Sequence, residues 1–223
     1  MKAITHRLAA ALFLRTSFAA WTNLTASDYT ISDTGPADLS GLDSALPIRT
    51  VNDVLASANH ANPDYSPNVK HLVPGSAFTW ENVPGYNDET GLKWFPQGLS
   101  TSFDASESGK YDRDNVLLVS WHCDYYYLGK RGARVSFVNM NEGVEREYRN
   151  VLLVEPTTGD DGGPDFKAIE KLHAGGIAWV GDYLYVASTE TGLRVFDLRH
   201  IYQVTEGNGI GKVGDGYQAF GYE

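Results

Sequence analysis

The sequence predicts an all-β protein built from repeated four-stranded antiparallel sheets, and three observations support this fold class. Its 223 residues include 23 Gly, 13 Tyr and 5 Trp, a composition that favours turns and strands over long helices. From Asn68 onward, short apolar and β-branched runs alternate with turn residues, and the order of these runs then repeats. With 42% hydrophobic residues the chain can bury a sizeable core, so we do not expect global disorder.

The first twenty residues have the pattern of a secretory signal peptide. A basic stretch ending at Arg7 precedes the apolar run Leu8–Leu14, and small residues allow cleavage near Ala19. Arg15 interrupts the apolar run, so an amphipathic N-terminal helix or a mitochondrial presequence is the alternative. We predict a secreted protein with a signal peptide over residues 1–20, and no membrane insertion because the apolar run is too short to span a bilayer.

Residues 21–70 are predicted to form an irregular N-terminal extension that is rich in Ser, Asp, Asn and Pro. Only Thr50–Ala58 has helical spacing, with Thr50 as the predicted N-cap. Asn23 begins the triplet Asn-Leu-Thr, which predicts a glycosylation site just after the signal peptide.

The internal repeat lies in residues 71–223, which we interpret as about two sheets, the second incomplete. The first copy has four strand candidates, Gly98–Phe103, Asn115–Trp121, Val135–Met140 and Tyr148–Glu155. The second copy has three that match them, Gly176–Val180, Asp182–Ser188 and Leu193–Leu198, and a fourth candidate, Gln218–Tyr222.

The third strands of the two copies end alike, with a polar residue between two apolar residues. This polar residue is Asn139 in the first copy and Asp197 in the second. Its side-chain oxygen is expected to accept backbone N–H groups of the following turn. The copies differ in length mainly in two connections. Asp104–Asp114 is long where the second copy has only Gly181, and His122–Arg134 is long where the second copy has only Thr189–Gly192.

A resemblance to a known family rests on two phrases of the second copy. The segment His173–Ser188 (HAGGIAWVGDYLYVAS) and the segment Gly192–Leu198 (GLRVFDL) resemble blades of secreted bacterial and fungal β-propeller proteins. The resemblance covers at most Asn68–Glu223 and implies antiparallel four-stranded blades. It implies no particular activity, because propellers host binders, lyases, glycosidases and lactonases. Since closing a propeller takes about four to eight blades, we interpret the chain as a partial, truncated propeller. A small open sandwich that uses the same strands is the alternative.

Charge and cysteine content limit the function classes. The formal net charge of −10, from 18 basic and 28 acidic side chains, excludes nucleic acid as an expected partner because phosphate backbones are repelled. Cys123 is the only cysteine, so it has no intrachain disulfide partner. We expect it to be buried as a small hydrophobic residue.

Catalytic candidates follow from the blade geometry that the resemblance implies. The loop that enters the inner strand and the loop that joins the second and third strands share one face. This arrangement brings His122 and Asp124 together with His173. They are interpreted as a general base with its orienting carboxylate, or as metal ligands. The alternative is that both histidines tie loops together through backbone hydrogen bonds. No zinc-finger or H-E-x-x-H spacing is present, so we predict no resident metal or cofactor.

Binding candidates lie on the same predicted face. They are Trp94, Gln97, Trp121, Tyr125, Tyr126 and Glu190. Aromatic faces with polar rims suit sugar rings, whereas packing between blades is the alternative role for the aromatic residues. The Gly-rich segment Gly207–Gly216 lacks the order of a phosphate loop, so we expect a flexible surface loop there.

The function predicted from the sequence is a secreted, propeller-type binding or interaction module with a carbohydrate or protein ligand. One alternative is a secreted hydrolase or lyase with its site on the top face of the propeller. A further alternative is an inactive fragment of a longer propeller protein.

Overall fold

A computed structural model describes residues 33–63, 77–123, 132–189 and 191–220, and this part of the chain is all-β. Three short helices are present in it, α1 (Ser40–Ala45), α2 (Val51–Ala56) and α3 (Ser102–Ala105). The strands are β1 (Ile48–Arg49), β2 (His60–Ala61), β3 (Asn82–Val83), β4 (Tyr86–Asn87), β5 (Trp94–Thr101), β6 (Val116–Cys123), β7 (Ala133–Asn139), β8 (Glu147–Thr158), β9 (Pro164–Ala168), β10 (Ile177–Val180), β11 (Tyr183–Ser188), β12 (Gly192–Asp197), β13 (Ile201–Tyr202), β14 (Ile210–Val213) and β15 (Gly216–Ala219). None of the helices in these ranges is long and apolar enough to cross a bilayer.

The largest sheet is a curled half-barrel whose centre is the antiparallel meander β5–β6–β7–β8, which we call the first meander. Both β2 and β9 pair with β8 at its outer edge. The four strand candidates of the first copy overlap the four strands of the first meander, although the first candidate, Gly98–Phe103, runs two residues into α3. Strand β6, with the sequence VLLVSWHC, is apolar at successive positions because both of its faces are covered.

Strands β10–β11–β12 form a second antiparallel meander, which we call the second meander. Its pairing register matches that of the first meander under the sequence alignment of the two copies. Leu99 pairs with Val119, and the aligned residue Ile177 pairs with Val186. The third strands follow the same rule, since Val119 pairs with Ser136 while Val186 pairs with the aligned residue of β12.

The predicted turn role of the polar residue at the end of each third strand is confirmed. Asn139 Oδ1 accepts a hydrogen bond from the backbone N–H of Asn141 at 3.0 Å. Asp197 Oδ1 accepts one from the N–H of Arg199, also at 3.0 Å. The two copies therefore share this side-chain-to-backbone hydrogen bond of the turn as well as the strand pattern.

The fourth strand of the second copy differs from the prediction. Strand β15 overlaps the candidate Gln218–Tyr222 only at Gln218 and Ala219, and it pairs with β14 in a separate hairpin rather than with β12. The reason is local: Gly214 has a φ of +61°, and Gly-Asp forms a two-residue connection between Val213 and Gly216. The segment expected to be a flexible loop thus contains a strand.

The predicted N-terminal extension contains regular elements in its described part. Thr50 caps α2 as predicted, because its Oγ1 accepts the N–H of Asp53 at 3.1 Å while the Asp53 carboxylate accepts the N–H of Thr50 at 2.9 Å. Strand β1 pairs with β13, and β2 pairs with β8. These residues therefore contain more regular structure than the expected irregular extension, in two short helices and two two-residue strands.

The two meanders pack face to back. We call the side of the first meander that carries Leu118 and Phe137 its forward face, and the side that carries Val119 and Trp121 its rear face. The forward face lies in one buried cluster with Trp179, Leu184 and Val186 of the second meander. Leu184 and Val186 occupy positions that align with the rear face of the first meander. The forward face of the first meander therefore packs against the rear face of the second meander.

Candidate functional site

Two of the predicted catalytic residues meet at one end of the meanders. His122 lies near the end of β6, opposite Phe95 of β5, and is half-buried. His173 lies in the connection between β9 and β10 and is exposed. Their imidazole rings stack with centroids 4.5 Å apart and an angle of 29° between the ring planes. We call this end of the two meanders the loop face.

The tautomer of His122 follows from its backbone neighbour. Its Nδ1 lies 3.4 Å from the carbonyl oxygen of Leu172. A carbonyl oxygen only accepts hydrogen bonds, so the neutral imidazole carries its proton on Nδ1 in this arrangement. Its Nε2 then keeps the lone pair, which is the form in which a histidine acts as a base.

The backbone of the connection that carries His173 is strained. Lys171 and Ala174 have φ angles of +59° and +52°, in the left-handed region that favours glycine. Such conformations persist only where the surrounding structure imposes them, and they concentrate at functional sites.

Ser120 of β6 holds this connection in place. Its Oγ donates a hydrogen bond to the carbonyl oxygen of the buried Ala174 at 2.8 Å and accepts one from the N–H of Gly98 at 2.9 Å. A serine inside an apolar strand therefore links β5, β6 and the connection that carries His173.

A register shift in β5 shapes the rest of the loop face. The pairing of β5 with β6 is interrupted between Pro96 and Leu99, which leaves the predicted binding residue Gln97 exposed. The side-chain amide of Gln97 donates to the carbonyl oxygen of Phe95 at 3.3 Å. Phe95 is 36% exposed and supplies an aromatic surface beside the histidines.

The two predicted binding tryptophans lie on the rear face of the first meander rather than on the loop surface. Trp121 is fully buried and its Nε1 donates to Ser136 Oγ at 2.7 Å. Trp94 is buried beneath the guanidinium of Arg134, which lies 4.4 Å from the ring centroid. Adjacent strand residues point to opposite faces, so Trp121 is covered while His122 is accessible. Their burial fits the alternative packing role.

The remaining predicted site residues lie outside the described part of the chain. They are Asp124, Tyr125, Tyr126, Glu190 and the glycosylation candidate Asn23. Cys123 is buried, as expected from the sequence.

The rear face also carries a buried polar cluster, which we define as Tyr86, Asp88, Arg134, Tyr148 and Asn150. Arg134 Nη2 donates to Asp88 Oδ1 at 2.5 Å. The other carboxylate oxygen accepts the hydroxyl groups of Tyr86 at 2.6 Å and Tyr148 at 3.0 Å. The side-chain amide of Asn150 donates to the Tyr86 hydroxyl oxygen at 2.8 Å. This cluster fastens the segment around β4 onto the sheet.

Burial and charge act in opposite directions on the titration of this cluster. Burial alone would raise the pKa of Asp88, but the Arg134 guanidinium and the two tyrosine hydroxyls together hold the pKa of this carboxyl below its ordinary value. Burial, followed by the charge of Asp88, raises the pKa of Tyr148. Tyr86 also has a raised pKa, mainly because it is buried.

Sequence reasoning missed the polar cluster and the anchoring role of Ser120. The available signal was a polar residue inside an apolar strand, since Arg134 begins the run RVSFV and Ser120 interrupts the run VLLVSW. Buried charges are almost always paired, so Arg134 required a carboxylate partner, but the spacing does not indicate Asp88.

The site is a small surface assembled from two consecutive meanders, with two imidazoles, one phenyl ring and one amide. Within the described ranges, no group of three or more His, Cys, Asp or Glu side chains could hold a metal ion. No protein-family model matches the chain, and no curated protein or solved structure matches it.

Proposed function

We propose that the chain is a binding module built on propeller-type blades, with the loop face as its ligand surface. The observation that carries this proposal is the contact between His122 and His173, which come from consecutive meanders and stack at 4.5 Å. A pair of polar rings, one exposed and one half-buried, beside the strained backbone at Lys171 and Ala174 is typical of a recognition site.

Support for the propeller-type interpretation comes from the repeat. The two meanders share one pairing register, and the forward face of one packs on the rear face of the next. Their first strands lie side by side, since the N–H of Trp179 in β10 donates to Ser100 Oγ in β5 at 3.0 Å. In a propeller the first strands of neighbouring blades line the axis, and the loops beside them form the ligand face.

Carbohydrate is the ligand class that the loop face favours. Phe95 offers a partly exposed ring for stacking on a sugar, while His173 and Gln97 offer hydrogen-bonding groups around it. The binding role predicted for Trp121 is not retained, because this side chain is fully buried. Export from the cell is part of the proposal and rests on the pattern of residues 1–20 alone.

Glycan-array binding followed by titration calorimetry tests the proposal. We expect His173→Ala and Phe95→Ala each to weaken binding of the best glycan at least tenfold. Phe103→Ala removes another exposed phenyl ring, away from the loop face, and should leave the affinity unchanged. If no glycan binds, or if all three variants weaken binding equally, the proposal is wrong.

The second candidate function is a hydrolase or lyase that uses the same surface. The observation that favours it is the Nδ1 contact of His122 with Leu172, which leaves Nε2 as a basic nitrogen. In this case His122→Ala should abolish any hydrolysis or elimination activity found in a substrate screen. Retention of full activity in this variant would refute the enzymatic role.

A further inference from the structure

The second meander has an open strand edge where the first has a partner. In the first meander, β8 pairs with β7 from Ala133 to Val138. In the described part of the chain, β12 pairs with β11 alone. The segment expected to cover β12 is engaged in the β14–β15 hairpin instead. An open edge of six residues presents backbone donors and acceptors to any strand of matching geometry.

The outward-facing backbone groups of this edge can be identified from one hydrogen bond. The N–H of Leu198 donates to the carbonyl oxygen of Asp182 at 2.8 Å. Antiparallel ladders alternate, so Phe196 and Arg194 also bond to β11, whereas Leu193 and Val195 direct their N–H and C=O groups outward.

The first meander supports this assignment, because its aligned pair shows the same bond: the N–H of Met140 donates to the carbonyl oxygen of Asn115 at 2.9 Å. The residues aligned with Leu193 and Val195 are Val135 and Phe137, which face Val151 and the neighbouring positions of β8. The same positions therefore receive a fourth strand in one meander and are open in the other.

The side chains along this edge are apolar on the forward face. Leu193 is 57% exposed and Val195 is 53% exposed. Arg194 points to the rear face, where its guanidinium donates to Glu155 at 2.8 Å. The edge thus presents β-branched and aliphatic side chains, and its one cation is already paired within the chain.

We propose that β12 pairs antiparallel with β12 of a second copy of this chain across a two-fold axis. The self-complementary register is centred on Val195, where each copy's Val195 exchanges both backbone hydrogen bonds with the other's. Leu193 of one copy then lies opposite Asp197 of the second copy, whose N–H also faces outward. This register places Arg194 opposite Phe196, whereas a register centred on Arg194 would oppose two like charges.

The resulting contact joins two three-stranded meanders into one six-stranded sheet. Both forward faces then lie on the same continuous sheet. Because a single strand pair buries less than the ~1,600 Å² of a standard interface, the dimer forms reversibly and depends on concentration.

Sedimentation equilibrium of the full chain over a hundredfold concentration range tests the proposal. Val195→Pro removes an outward N–H that none of the described strands uses, so the β11–β12 ladder of the monomer is kept. We expect this variant to raise the dimer dissociation constant at least tenfold, and Val195→Lys serves if the proline variant does not fold. Val180→Lys is the matched control, since Val180 lies on the same meander with 55% exposure but belongs to β10. A monomer at every concentration, or equal effects of Val180→Lys and Val195→Lys, overturns the proposal.

Amide hydrogen exchange locates the contact within the strand. In dilute protein, the amides of Leu193 and Val195 should exchange much faster than those of Arg194 and Phe196. At high concentration the first pair should become protected. Protection that does not change with concentration would mean that another segment or a bound partner occupies the edge, and absence of protection would mean that the edge stays open. Either result overturns the proposal.

Discussion

Replacing Asp88 with alanine is expected to destabilise the protein by about 3–5 kcal/mol, because the variant leaves a buried guanidinium without its carboxylate. The side chains of Arg134 and Asp88 are 1% and 3% exposed, and the bond between them is 2.5 Å long. At this separation the Coulomb attraction is about 7 kcal/mol with an effective dielectric constant of ~20, and the desolvation of both ions offsets part of it. The hydroxyl groups of Tyr86 and Tyr148 also lose their acceptor.

Urea unfolding followed by tryptophan fluorescence measures this effect, since Trp94 and Trp121 lie next to Arg134. The expected loss corresponds to a fall of roughly 6–20 °C in Tm for a unit of this size. Asp161→Ala is the control, because it removes an exposed ion pair with Lys212 and should change stability by less than about 1 kcal/mol.

A double replacement separates the charge effect from packing. Asp88→Leu combined with Arg134→Met removes both ions and keeps most of the volume, so it should destabilise the protein less than Asp88→Ala alone. Two results would refute the charge-pair reasoning. The first is that Asp88→Ala changes the free energy of unfolding by less than about 1 kcal/mol. The second is that the effects of Asp88→Leu and Arg134→Met, each measured alone, add up to the effect of the double replacement.

Three further changes test the fold and the site. Because the pKa of Asp88 is lowered by folding, its contribution to stability is present above its ordinary pKa of about 4 and is lost as the pH falls through its lower folded-state pKa; Asp88→Asn should flatten this acid dependence in unfolding experiments. Lys171→Gly should stabilise the protein by about 0.5–1 kcal/mol, measured by urea unfolding, since glycine adopts the left-handed backbone without strain and the exposed Lys171 leaves no buried cavity; a loss of stability would contradict the strain assignment. Thr50→Ala should reduce stability by about 0.5–2 kcal/mol through loss of the α2 cap, and an unchanged urea midpoint would show that the cap contributes nothing.

The sequence predicted most of the strand positions because β-branched runs and turn residues are local signals. The register of the two meanders also followed, since the phrases ending in Asn139 and Asp197 align the third strands. The approach of His122 to His173 was predictable for a related reason. In the blade geometry that the resemblance implies, the end of the second strand of one copy and the connection that enters the first strand of the next copy share one face.

Other features depend on long-range contacts that local patterns do not encode. The continuous apolar run of β6 indicates that both of its faces are covered, but nothing near Trp121 indicates which residues cover its face, since they include Trp80 and Phe220, far away in the chain. The pairing of β15 was predicted wrongly because its sequence resembles a fourth strand. The two-residue turn at Gly214 instead favours pairing with β14, which is nearer in the chain than β12.

The absence of a side chain at Gly98 allows the first and second meanders to approach each other closely. A Cβ atom there would lie 3.2 Å from the backbone nitrogen of Ile177 and 3.3 Å from the carbonyl oxygen of Gly175. A larger side chain would therefore push the second meander away and shift His173 relative to His122. The size of the residue at position 98 therefore ties the spacing of the two sheets to the spacing of the paired imidazoles.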